Sequence, residues 1–196
     1  MKVAVLVEGK TERAFFPFLR SFLSQRLHGQ MPNLDPVTYD GRIPTEGKLQ
    51  RIVTTLLAGR HPADAVIALT DIYTGSTAFS NAQDAKQKMS TWVGNVNNFF
   101  PHVALHDFEA WLLPFWPTIQ SLAKHNRGAP PGNPETVNHN RPPSKHIEEI
   151  FEIGKCRDSY SKERDAKRIL RDQDLLVAIN ACTELKSFVN RIVSIA

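Results

Sequence analysis

The sequence predicts an α/β protein with a mostly parallel central sheet covered by helices. Three nearly continuous apolar runs, at residues 3–7, 65–70 and 100–105, have the length of buried strands. Strands that are apolar on both faces belong inside a parallel sheet. Segments with apolar residues at helical spacing separate the runs, and this alternation favours right-handed crossover connections.

The remaining elements follow from their patterns in chain order. Residues 11–27 carry an apolar stripe at three- and four-residue spacing, which predicts an amphipathic helix. The Gly- and Pro-rich segment that follows contains a short predicted strand at 36–39. Further helices are predicted at 46–57 and 81–96 and, after a long loop at 125–143, at 144–151, 161–170, 174–180 and 183–195.

The length of 196 residues predicts one domain with a substantial core. Within it we expect an α/β core over residues 1–124, with the loop and C-terminal helices of residues 125–196 packed on the same domain. A content of 41% hydrophobic and 22% charged residues is ordinary for a globular protein and excludes wholesale disorder.

Several absences in the sequence predict a cytoplasmic protein that does not enter a membrane. No apolar run approaches the roughly 20 residues that a membrane helix needs. The N-terminal apolar run is too short for a signal-peptide core. Cys156 and Cys182 are far apart and lack metal-site spacing, so we expect reduced thiols and no zinc site.

Acidic residues follow each of the three predicted buried strands. Glu8 follows the first strand, Asp71 follows the second, and His106-Asp107-Phe108-Glu109 follows the third. Because the carboxyl ends of parallel strands meet at one edge of a sheet, these acids are expected to converge there. A few carboxylates suit Mg²⁺ and metal-assisted phosphodiester chemistry. The alternative is that strand ends meet water and carry acids for solubility.

Glu109 is the acid of the third group that most needs an explanation. It lies in an otherwise apolar stretch, where a lone carboxylate requires a partner or a metal. If residues 106–109 are helical, His106 lies on the same face as Glu109 and could hydrogen-bond to an acidic ligand. A histidine that only caps the helix is the alternative.

Lys10 is a candidate phosphate ligand at the first strand-to-helix junction. Gly9-Lys10-Thr11 resembles the end of a phosphate-binding loop, but Ala4 occupies the position of that motif's first glycine. A nucleotide-binding Walker loop is therefore excluded. Gly9 permits a tight turn and Thr11 caps the helix, so Lys10 either meets a phosphate or is simply solvated.

A second group of candidate substrate ligands lies in the C-terminal third of the chain. The net charge of +4 and pI near 9.2 permit binding to a polyanion. Basic residues are concentrated after residue 144, and Tyr160 could stack on a base. The candidates are Lys145, Tyr160, Lys162 and Arg164. A solvated, ion-paired helix face is the alternative interpretation.

Several motifs together resemble a bacterial domain-of-unknown-function family, number 4276, with a Toprim-like core related to OLD-type nucleases. They are Val7-Glu8-Gly9-Lys10-Thr11-Glu12, Asp71-Ile72-Tyr73 with Gly75, His106-Asp107-Phe108-Glu109-Ala110-Trp111-Leu112-Leu113, Asn133-Pro134-Glu135, Pro143-Ser144-Lys145 and Tyr160-Ser161-Lys162-Glu163-Arg164-Asp165. The resemblance implies a Rossmannoid three-layer sandwich with a C-terminal helical elaboration. It also implies that Glu8 is the Toprim acid and Asp71 the first carboxylate of the D-x-D motif.

The resemblance departs from the Toprim pattern at Tyr73, which stands where the second Asp is expected. Glu109 would then supply the missing ligand for Mg²⁺ or Mn²⁺. The activity implied is that of a metal-dependent nuclease with Lys10, His106, Lys145, Tyr160, Lys162 and Arg164 near the substrate. The implied partners are a nucleic acid, with DNA favoured over RNA, and an ATPase in a phage-defence module. The alternative, which Tyr73 favours, is a catalytically inactive subunit that docks on an ATPase or nucleic acid.

Overall fold

Four parallel strands form the central sheet of the structure, a computed structural model that describes residues 1–27, 30–39, 41–72, 78–155 and 158–196. In chain order the strands are β1 (Lys2–Val7), β2 (Asn33–Thr38), β3 (Ala65–Ile72) and β4 (Phe99–Leu105). Their order across the sheet is β2-β1-β3-β4, and every neighbouring pair is parallel. The predicted α/β class and parallel sheet are confirmed.

Helices connect the strands and form the C-terminal third of the chain. Two short 3₁₀ helices, Phe108–Trp111 and Leu113–Phe115, follow β4. The α-helices are α1 (Lys10–Ser24), α2 (Glu46–Ala58), α3 (Ala82–Val93), α4 (Trp116–Ala123), α5 (Pro143–Ile153), α6 (Lys162–Leu170), α7 (Leu176–Ala181) and α8 (Thr183–Ile195). Residues 125–142 contain no helix or strand, in agreement with the predicted loop.

Apolar side chains from both faces of the sheet are buried beneath helices, so the fold has three layers. On β1, Val3, Val5 and Val7 pack into a core with residues of α1, α5, α6 and α8. The alternate residues Ala4 and Leu6 pack on the other face with α2 and α3. The C-terminal helices therefore complete the same core that α1 covers.

The strand order fixes where the loops gather. From β1 the chain crosses to β2 on one side of the sheet, whereas β3 lies on the other side of β1. Adjacent loops at the carboxyl ends of β1 and β3 thus diverge and leave a crevice, the usual ligand position in such sheets. Glu8 follows β1 directly. Asp71 lies inside β3, because that strand continues two residues beyond the predicted end at Thr70.

Within the described residues, no helix combines the length and the apolar character that crossing a membrane requires.

Candidate active site

An acidic cavity of about 510 Å³ lies at the carboxyl edge of the sheet. The junction of β1 and α1 forms one wall, and the end of β3 and the first 3₁₀ helix form another. The first turn of α6 closes the cavity from the C-terminal third of the chain. All three predicted metal ligands, Glu8, Asp71 and Glu109, line this cavity.

Glu8 is held in place by the neighbouring strand β3. Its side chain is buried, with 3% exposure. The Thr70 hydroxyl donates a hydrogen bond to Glu8 Oε1, and the Asp71 backbone N–H donates to the same oxygen at 3.2 Å. The pairing of β1 with β3 therefore fixes the orientation of this carboxylate across the crevice.

Glu109 lies on the first 3₁₀ helix and is 1% exposed. Its Oε1 accepts hydrogen bonds from the Thr11 and Tyr160 hydroxyls, each at 3.4 Å, and lies 3.2 Å from Lys162 Nζ. Burial, with a contribution from Asp107, raises the pKa of Glu109 to about 7, although Lys162 acts in the opposite direction. The partner that the apolar sequence context required is thus Lys162.

Asp71 is also deeply buried in the cavity wall, with 8% exposure. Burial raises its pKa well above the usual range, and the nearby carboxylates of Glu12 and Glu8 add to the effect. Because the cavity disfavours charged carboxylates in this way, a cation that enters it would stabilise their charged form.

Glu12 is a cavity residue that the sequence reasoning missed. It is 5% exposed on the first turn of α1, and burial, followed by Glu109 and Glu8, raises its pKa to about 7. The available signal was its spacing, because Glu12 precedes Phe15, Phe16 and Leu19 by three, four and seven residues and so shares their buried face. Only its place in the first helical turn, where acids are common, concealed it.

Asp107 is a buried carboxylate that connects the loop after β4 to α5. It is 1% exposed, and its Oδ2 accepts a hydrogen bond from the Ser144 backbone N–H at 3.1 Å. Burial raises the pKa of Asp107 despite that bond. The contact ties the first turn of α5 to the loop after β4.

The residues fit a hard divalent cation by chemistry, since carboxylate oxygens are the donors that Mg²⁺ and Mn²⁺ prefer. Over residues 1–27, 30–39, 41–72, 78–155 and 158–196, however, no group of three or more His, Cys, Asp or Glu side chains is arranged to hold a metal ion. The carboxylates share a cavity without sharing one coordination sphere. They would have to converge on an ion, and Glu109 would have to exchange its contact with Lys162.

The other predicted substrate ligands are distributed unevenly. Lys10 is exposed and lines the cavity, while Tyr160 and Lys162 both contact Glu109. Lys145 is exposed on α5 and pairs with Glu148 at 2.5 Å. Arg164 lines a neighbouring cavity instead and pairs with Asp165. Tyr73 falls outside the residues that the structure describes.

The predicted helical relationship between His106 and Glu109 is wrong. The 3₁₀ helix begins at Phe108, and His106 precedes it in the left-handed conformation with φ 66°. The Asp107 N–H bonds to the Leu105 carbonyl at 3.0 Å, so the chain turns before the helix starts. His106 is half-buried, and burial lowers its pKa.

Known structures with a similar fold include the C-terminal regions of two OLD proteins. The C-terminal region of the Burkholderia pseudomallei OLD protein is similar with a TM-score of 0.56 and 11% identity, over 97% of this chain and 96% of that one. The C-terminal region of the Xanthomonas campestris pv. campestris OLD protein gives 0.51 and 15%, over 97% and 91%. The chain thus has a Toprim-like α/β fold, with an acidic crevice where the loops after β1 and β3 diverge.

The family follows from the sequence itself. The model of DUF4276, a domain of unknown function, matches residues 7–193, and the chain belongs to this family. No curated protein matches the sequence.

Proposed function

We propose that the protein is a nuclease that hydrolyses phosphodiester bonds at the acidic cavity with Mg²⁺ or Mn²⁺. The observation that supports this most is the crowding of Glu8, Glu12, Asp71 and Glu109 around one crevice, where burial, followed by repulsion from nearby carboxylates, raises the pKa of Glu12, Asp71 and Glu109. A buried cluster of like charges is costly for stability alone and is typical of a functional site. The resemblance of the motifs to OLD-type nucleases supports the same reaction class.

Each residue has a role in this proposal. Glu8, Asp71 and Glu109 would hold the ion, which when bound neutralises phosphate charge and activates water. The Thr70 hydroxyl and the Asp71 N–H orient Glu8. Lys10, exposed at the first turn of α1, and Lys162, half-exposed above Glu109, can each approach a phosphate.

The motif resemblance supplies the finer parts of the proposal. We propose that the substrate is DNA rather than RNA, that the protein acts in the cytoplasm, and that a partner ATPase controls it in a phage-defence module. We further propose that residues 1–124 and 125–196 act as one domain, because Lys162 reaches Glu109 across that division.

The test is metal-dependent cleavage of labelled duplex DNA by Glu8→Gln and Asp71→Asn. We expect each to lose at least about 100-fold in rate, since each removes a charged ligand. Glu135→Gln is the matched control. Glu135 is equally buried at 3% exposure, but it binds Trp111 Nε1 at 3.1 Å and the Glu184 backbone N–H at 3.0 Å, away from the cavity. Full activity in either cavity variant would refute the assignment.

A second candidate function is a catalytically inactive binding subunit. The specific observation in its favour is the contact of Lys162 with Glu109, which already satisfies the charge that a metal would satisfy. Titration with Mn²⁺ during thermal unfolding separates the two. A metal site stabilises the native state by about 2.7 kcal/mol at 100 times its Kd. An inactive subunit would show no metal-dependent shift.

A further inference from the structure

A second cavity, of about 580 Å³, adjoins the acidic cavity along α6. Ser161 and Glu163 line both cavities, so the two are separated only by the start of this helix. The other residues that line the second cavity are all cations, and we call it the α6 basic cavity: Arg164, Lys167, Arg168 and Arg171.

The four cations form one stripe. Arg164, Lys167 and Arg168 are at positions i, i+3 and i+4 on one face of α6, and Arg171 directly follows the last helical residue. The opposite face, with Ala166, Ile169 and Leu170, is buried in the core. From Arg164 to Arg171 the stripe is about 10 Å long at 1.5 Å per residue.

Ion pairs account for part of this charge and leave part of it available. Asp165, which is fully buried, holds Arg164 Nη2 at 2.7 Å and Arg168 Nη1 at 2.9 Å from below. The two arginine side chains remain about 40% exposed, so they are oriented and still accessible. A guanidinium has five donor hydrogens, and Arg168 uses one of them here.

The two remaining cations are less constrained. Lys167 pairs at 2.7 Å with Glu163, and this ion pair is exposed and therefore weak. Arg171 lines the cavity and forms no ion pair with any residue that the structure describes. The cavity thus presents oriented and unpaired positive charge beside the proposed catalytic crevice.

We infer that the α6 basic cavity binds backbone phosphates of a polynucleotide next to the phosphate held in the acidic cavity. This inference rests on the proposed function and adds a second binding site, for the backbone phosphates that neighbour the cleaved one. Among the described residues that line the cavity, none is aromatic, and the lining offers mainly cations that bind phosphate. Contacts to phosphate alone carry no sequence information, and binding is therefore sequence-independent.

The experiment measures binding without cleavage. Fluorescence anisotropy in EDTA follows a labelled duplex and a matched single strand across a salt series, with Lys167→Gln/Arg171→Gln as the test variant. Neither residue holds a buried partner. The control is Arg51→Gln/Arg60→Gln, which removes the same charge from exposed positions on and after α2, on the opposite face of the sheet.

We expect the test variant to bind at least about tenfold more weakly near 0.1 M salt, with a salt slope shallower by about 0.9 per lost contact on a duplex or about 0.7 on a single strand. If affinity for the duplex falls more than affinity for the single strand, the cavity binds duplex; the reverse result indicates single strand. The control should keep its affinity within about twofold. Equal losses in both variants, unchanged binding of the test variant, or no binding by the parent protein would overturn the inference.

Kinetics separate failure of this inference from failure of the proposed function. The test variant should raise KM for a long substrate and leave kcat unchanged, while hydrolysis of bis(4-nitrophenyl) phosphate, too short to span both cavities, stays at the parent rate. Glu8→Gln should lose both reactions. If Glu8→Gln keeps its activity, the proposed function fails; if the test variant keeps its KM on the long substrate, the inference fails.

Discussion

The Lys162 ammonium lies 3.2 Å from Glu109 Oε1, although the Glu109 side chain is 1% exposed and the Lys162 side chain 50% exposed. Burial acts to lower the pKa of Lys162, but the charges of Glu109 and Asp107 outweigh it and the pKa is raised. A half-exposed lysine thus supplies the counter-charge of a fully buried carboxylate. Because its stem reaches solvent, this cation can leave Glu109 without unfolding α6.

Replacement of Lys162 by methionine should destabilise the protein only where Glu109 is charged. Near pH 8 the variant leaves a buried carboxylate without its cation, and we expect the free energy of unfolding to fall by about 1–3 kcal/mol. This loss is smaller than that for a fully buried pair because Lys162 is half-exposed. Near pH 5 Glu109, with a pKa of about 7, is protonated and the loss should be small. Urea denaturation at both pH values measures the difference.

The control for that variant is Lys145→Met. Lys145 pairs with Glu148 on the surface of α5, and loss of this exposed pair should leave the stability almost unchanged at either pH. A Lys162→Met effect of the same size at both pH values would show that packing of the stem, rather than charge on Glu109, carries the stability.

Replacement of Glu12 by glutamine should stabilise the metal-free protein above neutral pH. The pKa of Glu12 is raised to about 7 from 4.5, so its effect on folding is most favourable below about 4.5, declines as the pH rises through 7 and is then constant. Glutamine removes this penalty, and we expect a gain of about 1–3 kcal/mol near pH 8 and almost none near pH 4.5. The buried histidines titrate in both proteins and cancel in the difference.

Metal addition provides the second arm of the Glu12 experiment. Mn²⁺ should stabilise the charged carboxylates of the cavity. It should therefore reduce the difference in stability between Glu12→Gln and the parent protein near pH 8. The measurement is the midpoint of thermal unfolding against pH, with and without metal. A variant that is less stable than the parent at high pH would contradict the repulsion between Glu12 and its neighbours.

Replacement of Asp165 by asparagine should weaken the whole α6 region. Asp165 accepts the Ser161 backbone N–H at 2.8 Å and holds Arg164 and Arg168, and we expect a loss of about 2–4 kcal/mol. Burial acts to raise the pKa of Asp165, but Arg164 and Ser161 outweigh it and the pKa lies below 3.8. Its stabilisation is therefore present above that value and disappears as the pH falls through the folded pKa.

The matched control is Asp158→Asn. Asp158 contacts the same Arg164 at 3.6 Å, but it is 73% exposed, and its removal should cost less than about 0.5 kcal/mol. Denaturant curves of both variants at neutral and acidic pH give the comparison. Similar losses for Asp158→Asn and Asp165→Asn would mean that burial of the carboxylate contributes nothing.

The sequence predicted those parts of the fold that depend on local pattern. Continuous apolar runs identified β1, β3 and β4, because both faces of these strands are covered. The convergence of Glu8 and Asp71 followed from parallel strand order. The short strand β2 was only half found, since its residues 33–38 include Pro36 and lie at the sheet edge.

Pairings between distant parts of the chain could not be predicted. Lys162 meets Glu109 across 53 residues that include the loop at 125–142, and no periodicity encodes that approach. The prediction for His106 was wrong for a different reason. The turn before Phe108 has a non-glycine residue in the left-handed conformation, which the sequence does not signal. Glu12 was overlooked although its spacing placed it on the buried face.

The first turn of α6 separates the two cavities, so exchange of the Ser161 backbone amide can report on its opening. The Ser161 N–H bonds to Asp165, while Lys162, the next residue, holds Glu109. Fraying of this single turn would release the lysine and join both cavities into one channel. Hydrogen exchange at the Ser161 amide therefore reports how often the channel forms.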